Sequence, residues 1–128
     1  MMVELIYKDL SYKIIGIIFE VFNELGYGYQ EKYYQRAIAL ALGRKKLKYI
    51  KEKEVKLTFR DHPIGKYFID FVIENKVVLE LKVANEFYSQ DTKQVLGYLK
   101  SSGLQLGILA LITKDDVRYK RLVNIRNN

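Results

Sequence analysis

The sequence predicts an α/β chain, more narrowly α+β, with a mixed β-sheet flanked by helices in the order α-α-β-β-β-α-β. Three observations carry this. Leu10, Ile14, Ile17, Val21 and Leu25 recur at helical spacing. Ile69 to Val83, IDFVIENKVVLELKV, reads as two strand-like apolar runs folded back through Glu74-Asn75-Lys76. A helical segment then separates this hairpin from LQLGILALI, an apolar run of strand length.

Taken in order, the first helix is expected over about 9–25, with Asp9 able to cap its start and Gly26 after its end. GYGYQ is a loop. A second helix is expected from about Glu31 to Leu42, with Tyr34, Ile38 and Ala41 on one stripe and Gly43 as terminator. VKLTFR, Val55 to Arg60, alternates with period two and is a strand with one wet face. DHPIG, with the single proline Pro63, is the expected turn. Strands follow over about Lys66–Ile73 and Val77–Val83, the first three strands being antiparallel. A third helix opens at Ser89 or Asp91 and ends at Gly103. LQLGILALI returns as a strand able to pair parallel to an inner one by a right-handed crossover. VRYKRLVNI reads as a last strand or a short helix.

The 128 residues suffice for one domain, 1–128, with a single core. Apolar content of 49% and charged content of 29% suit an ordinary globular chain. No apolar run approaches the roughly 20 residues that span a bilayer. MMVELIYKDL lacks a basic region followed by an apolar core, so no signal peptide and a cytoplasmic location are expected. The absence of cysteine excludes disulfides, Fe–S clusters, Cys-type zinc sites and thiol nucleophiles. One histidine, His62, cannot build a His-rich metal site or a Ser-His-Asp triad. The net charge of +7 suits an anionic partner, nucleic acid first, or else serves solubility. RKKLKYIKEKEVK, residues 44–56, holds seven basic and two acidic side chains, a local net of +5.

Asp70, Glu80 and Lys82 interrupt the apolar hairpin. Glu80 and Lys82 share a strand face. With a three-residue loop, Ile73 pairs with Val77, Asp70 lies opposite Glu80 and all three charges share that face. A two-residue loop would turn Asp70 away. The three-residue loop is the expected one. Two carboxylates about 5 Å apart repel by roughly 3 kcal/mol at an effective dielectric near 20. A divalent cation removes that cost, and an all-oxygen site suits Mg²⁺ or Mn²⁺. Lys82 can orient or help deprotonate an attacking water, or balance charge on a phosphate. Against this, strand edges also carry Lys and Glu for solubility.

The D-(X)n-E-x-K pattern on a hairpin resembles the PD-(D/E)XK nuclease superfamily. More narrowly, GYGYQEKYYQRAIAL resembles the signature of the GxxExxY protein family, with Gly28, Glu31 and Tyr34 in order. Gln94-Val95-Leu96-Gly97-Tyr98 resembles the Q-x-x-x-Y motif of RecB-type nucleases. The likeness runs over roughly residues 10–125, with Ile69 where the superfamily's name has proline.

This resemblance implies a restriction-endonuclease-like core and a Mg²⁺- or Mn²⁺-dependent enzyme hydrolysing phosphodiester bonds in DNA. Asp70 and Glu80 would ligate the metal with the backbone carbonyl of Leu81. Glu31 would be a further ligand or hold water, and Lys82 would serve the attacking water. Gln94 and Tyr98 would contact the scissile strand or brace the site. Tyr34 would pack beneath Glu31 or touch a phosphate. Lys45, Lys46 and Lys48 of the basic run are candidate phosphate contacts. By analogy, a homodimer would enlarge the positive surface. The alternatives are a nuclease-fold module that binds nucleic acid or a protein partner with little catalysis, and a protein–protein adaptor.

Overall fold

A computed structural model describes residues 6–124. Its elements are α1 (Lys8–Leu25), α2 (Glu31–Arg44), β1 (Tyr49–Phe59), β2 (His62–Ile73), β3 (Val77–Val83), α3 (Ser89–Ser102), β4 (Leu106–Ile112) and β5 (Val117–Val123). The sheet runs β1-β2-β3-β4-β5, with β3 and β4 parallel and the other neighbours antiparallel. The final apolar strand thus pairs parallel to the inner β3, as the sequence order suggests. VRYKRLVNI supplies strand β5, its last residue Ile125 lying outside the described residues.

α1 buries Ile14, Ile17, Ile18 and Val21, and α2 buries Tyr34, Ile38 and Leu42. These pack with Phe71, Ile73, Leu79, Leu81, Ile108 and Ala110 into one core. Val95 and Leu99 of α3 cover a second, smaller core on Ile69, Val72 and Val78. Alternate residues of β3 therefore serve different layers.

Several local expectations change. Asp9 does not cap α1: the cap position is Tyr7, at φ 51, and Asp9 lies in the first turn. α2 runs through Gly43 to Arg44, and Leu42 rather than Ala41 completes its buried stripe, because helical residues four apart stack on one face. β1 begins at Tyr49, well before Val55. DHPIG is not the turn. Arg60 and Asp61 make it, at φ 49 and 65, and β2 starts at His62. Pro63 is tolerated inside β2 because it sits opposite Thr58 at a register shift, beyond the reach of β3.

The hairpin loop has the expected length. Ile73 pairs with Val77, Val72 with Val78 and Phe71 with Leu79. Glu74 and Asn75 adopt φ 53 and 54. A left-handed Glu is unfavourable. Here its N–H donates to the Lys48 carbonyl at 2.7 Å, and its carboxylate accepts from the Lys48 N–H at 3.3 Å.

Candidate active site

The β2–β3 ladder changes character after the Phe71–Leu79 pair. The Asp70 N–H donates to Glu80 Oε1 at 3.0 Å, and the Leu81 N–H donates to Asp70 Oδ2 at 2.7 Å. Side-chain carboxylates thus satisfy backbone donors in the seam between the two strands. β2 breaks alternation at the same point. Ile69 and Phe71, two apart, enter different cores. Glu52, on β1 opposite Asp70, takes φ 56 between the regular Lys51–Phe71 and Lys53–Ile69 pairs. Such local strain is typical of functional sites.

That break corrects the expectation of one shared face. Asp70 is met from the α2 side, where Gln35 Nε2 donates to its Oδ1 at 2.8 Å. Lys82 turns toward α3, with Nζ 3.9 Å from Asp91 Oδ1. Glu31, in the first turn of α2, accepts from the Val83 N–H at 3.2 Å through Oε1, and its Oε2 lies 3.5 Å from Gln35 Nε2. Both helical layers therefore converge on the β2–β3 seam.

The electrostatics follow from burial. Glu80 is 2% exposed. Burial, then the Asp70 carboxylate, pushes it up to about 9. Burial also raises Asp70, against hydrogen bonds from Leu81 and Gln35. The pair holds a proton at neutral pH, because two adjacent buried carboxylates cannot both ionise without compensation. Burial raises Glu31 as well, Lys82 opposing. For Lys82, burial alone would lower the ammonium. The carboxylates of Glu80, Glu31, Asp91 and Asp70 outweigh it and hold Lys82 above its ordinary value.

The donor set fits a hard divalent cation, being all oxygen, buried and short of positive charge. In this arrangement both Asp70 oxygens are engaged, and the described residues contain no group of three or more His, Cys, Asp or Glu spaced to hold a metal.

The remaining candidates lie at graded distance. Gln94 lines an open cleft of about 370 Å³ between the β1–β2 ribbon and α3, with Leu57, Tyr67, Ser89, Gln90, Lys93 and Gly97. Its carbonyl accepts from the Tyr67 hydroxyl at 3.1 Å. Tyr98 is half-buried against the α3 core, and burial raises its hydroxyl. Tyr34 has no exposed surface. Its hydroxyl donates to the Gly26 carbonyl and accepts from the Tyr29 N–H, so it ties down the loop before α2 and has nothing to offer a phosphate. Gly28 in that loop sits at φ 120, which suits glycine. Lys45, Lys46 and Lys48 follow the C-terminal end of α2, about 20 Å from Glu31 along the helix axis. The fold does not bring them to the carboxylates.

Three contributors were not singled out from the sequence. Gln35 is four residues after Glu31, so helical spacing alone places both on one face. Asp91, read as a helix opener, is the ion partner of Lys82. Tyr67 stands near Glu80, whose charge helps raise its hydroxyl after burial, and no spacing rule points to it.

A family model for the PD-(D/E)XK nuclease superfamily matches residues 8–122. No curated protein matches the chain. Among solved structures, the crystal structure of SSO0001 is similar in fold, with a TM-score of 0.52 at 12% identity over 92% of this chain and 78% of that one.

Proposed function

Because the chain belongs to the PD-(D/E)XK nuclease superfamily, we propose that it is a metal-dependent nuclease hydrolysing phosphodiester bonds in DNA. The observation that carries this is the meeting of Asp70 and Glu80 in the β2–β3 seam, with Lys82 and Glu31 beside them. The reading treats residues 1–128 as one such domain and, more narrowly, as one of the GxxExxY type.

Asp70, Glu80, the Leu81 carbonyl and Glu31 are the oxygen donors that would hold Mg²⁺ or Mn²⁺. The cation supplies charge stabilisation at a phosphate oxygen and makes a nearby water more acidic. The protein's own groups do the rest. Gln35 fixes the Asp70 carboxylate, and its amide spans to Glu31. Lys82 stays an ammonium at neutral pH, which suits it to donate to the attacking water or a phosphate oxygen rather than to remove a proton. Asp91 holds Lys82 at the seam. Tyr67, Gln94 and Tyr98 wall the α3 side of the seam and would brace it.

One observation favours a second reading, a nuclease-fold module that binds without cutting. Both Asp70 oxygens are satisfied by protein donors. A paired cleavage assay separates the two. Full-length protein and Lys82→Ala are incubated with supercoiled plasmid, single-stranded DNA and a four-way junction, each with Mg²⁺, Mn²⁺ or EDTA. Cutting that needs metal and disappears in the variant is the expected result. Equal cutting by the variant defeats the nuclease reading. Binding without cutting under every condition favours the module.

A further inference from the structure

We infer that the ribbon formed by β1 and β2 is a phosphate-contact surface that receives the nucleic-acid backbone beside the carboxylates; this rests on the nuclease reading above. β2 pairs with β3 through residues 71–73, but with β1 along 62–73. β2 therefore parts from β3 beyond Phe71, and the stretch of the ribbon before Tyr67 has no β3 residue opposite it. Its two faces differ. Val55 and Tyr67, cross-strand partners, pack toward α3. The opposite face carries Glu54, Lys56, Lys66 and Phe68, all exposed. Lys66 and Phe68 alternate with Tyr67 and Ile69, so they share the side of Asp70, which Gln35 of α2 meets.

Lys56 and Lys66 lie directly opposite each other on this face. Like charges in that position destabilise a sheet. Glu54, 3.4 Å from Lys66, relieves one ammonium. No carboxylate among the described residues is in ion-pair range of Lys56. An anion lying across both ammonium groups removes the remaining cost. Lys66 is four residues from Asp70, about 13 Å along the strand. A nucleic-acid strand advances about 3.4 Å per nucleotide in a duplex, so that separation corresponds to about four nucleotides. A backbone held at Asp70 and Glu80 by one phosphate would bring another over the lysine pair. Phe68, 50% exposed and midway, then faces a sugar or base. The opposed ammonium groups, in line with the carboxylates, favour a polyanion over a second copy of this chain, which would bring the same positive pair.

The test compares the full chain with Lys56→Gln/Lys66→Gln and with Lys45→Gln/Lys46→Gln. Each is titrated into a fluorescein-labelled DNA duplex of about 20 base pairs over a salt series. The log–log slope of affinity against salt becomes shallower by about 0.9 for each phosphate that the protein no longer neutralises. The ribbon variant's slope should shrink by close to two such steps, and the helix-end variant should keep the wild-type slope. The ribbon variant's melting temperature should hold or rise, since a like-charge pair is removed. An unchanged slope in the ribbon variant, or a shallower slope confined to the helix-end variant, overturns the inference. So does a wild-type dimer that the ribbon substitutions dissociate while DNA affinity stays the same. Failure of the wild type to bind or cut any nucleic acid is a separate result, and overturns the nuclease reading itself.

Discussion

At Asp70 a side chain does what a backbone carbonyl does elsewhere in the sheet: it accepts the Leu81 N–H, while the Asp70 N–H is taken by Glu80. That leaves the Asp70 carboxylate orientation dependent on the amide of Gln35. Gln35→Ala should therefore weaken Mg²⁺ activation about 10-fold or more, the usual effect of removing a group that orients a metal ligand. A Mg²⁺ titration of cleavage checks it, and an unchanged midpoint removes Gln35 from the site. Tyr34→Phe should behave oppositely. It loses the hydroxyl bond to Gly26 and should cost about 1 kcal/mol in denaturant unfolding, with DNA affinity unchanged. Asp70, Glu80, Lys82 and Glu31 were legible because acids and a lysine inside apolar runs, or at a helix start, are chemically conspicuous. Gln35 is an ordinary helix-surface residue until tertiary packing puts Asp70 against it, and Tyr67 acquires its place only from the packing of the ribbon against α3.

The elements were legible where burial imposes a period. α1, β3, α3 and β4 emerge from their apolar spacing, and the hairpin register from its loop length. The first half of β1, Tyr49 to Glu54, is largely solvated and carries mixed charges, so no apolar alternation marks it in the sequence. Pro63 misled for a related reason: proline signals a turn on average, but this one occupies a stretch that β3 does not contact. α3 packing gives a paired prediction. Gly107 of β4 lies beneath Val95, and an added Cβ would come 2.6 Å from Val95 Cγ1. Gly107→Ala should thus destabilise by about 1–3 kcal/mol through overpacking. Gly97 is exposed within α3, and its Cβ would meet the Tyr67 hydroxyl only at 3.9 Å. Gly97→Ala should stabilise by up to about 1 kcal/mol through helix propensity. Thermal unfolding of both variants reads the difference, and equal effects would contradict the α3–β4 packing.

For the whole molecule, the seam links stability to pH and metal. Glu80 rises from an ordinary 4.5 to about 9 in the folded chain. Between those values the folded state holds a proton that the unfolded state has released, so rising pH favours unfolding. The advantage is fully present below about pH 4.5 and is lost as pH climbs through about 9. Asp70 and Glu31, also raised, act with the same sign. Lys82 and the hydroxyls of Tyr67 and Tyr98 are raised from 10.5, 10.0 and 10.0, so they titrate above this window. In EDTA the melting temperature should therefore fall from about pH 5 to about pH 9, and Glu80→Gln, which cannot ionise, should flatten the fall. A divalent cation competes with that proton for the same oxygens, so its stabilising effect must grow with pH. At about 100 times its dissociation constant Mg²⁺ should add about 2.7 kcal/mol to the wild type and much less to Glu80→Gln. A fall in EDTA that Mg²⁺ does not reverse would mean that the carboxylates meet only each other, which would remove the cation from the proposed site while leaving the fold that joins Asp70 to Glu80 in place.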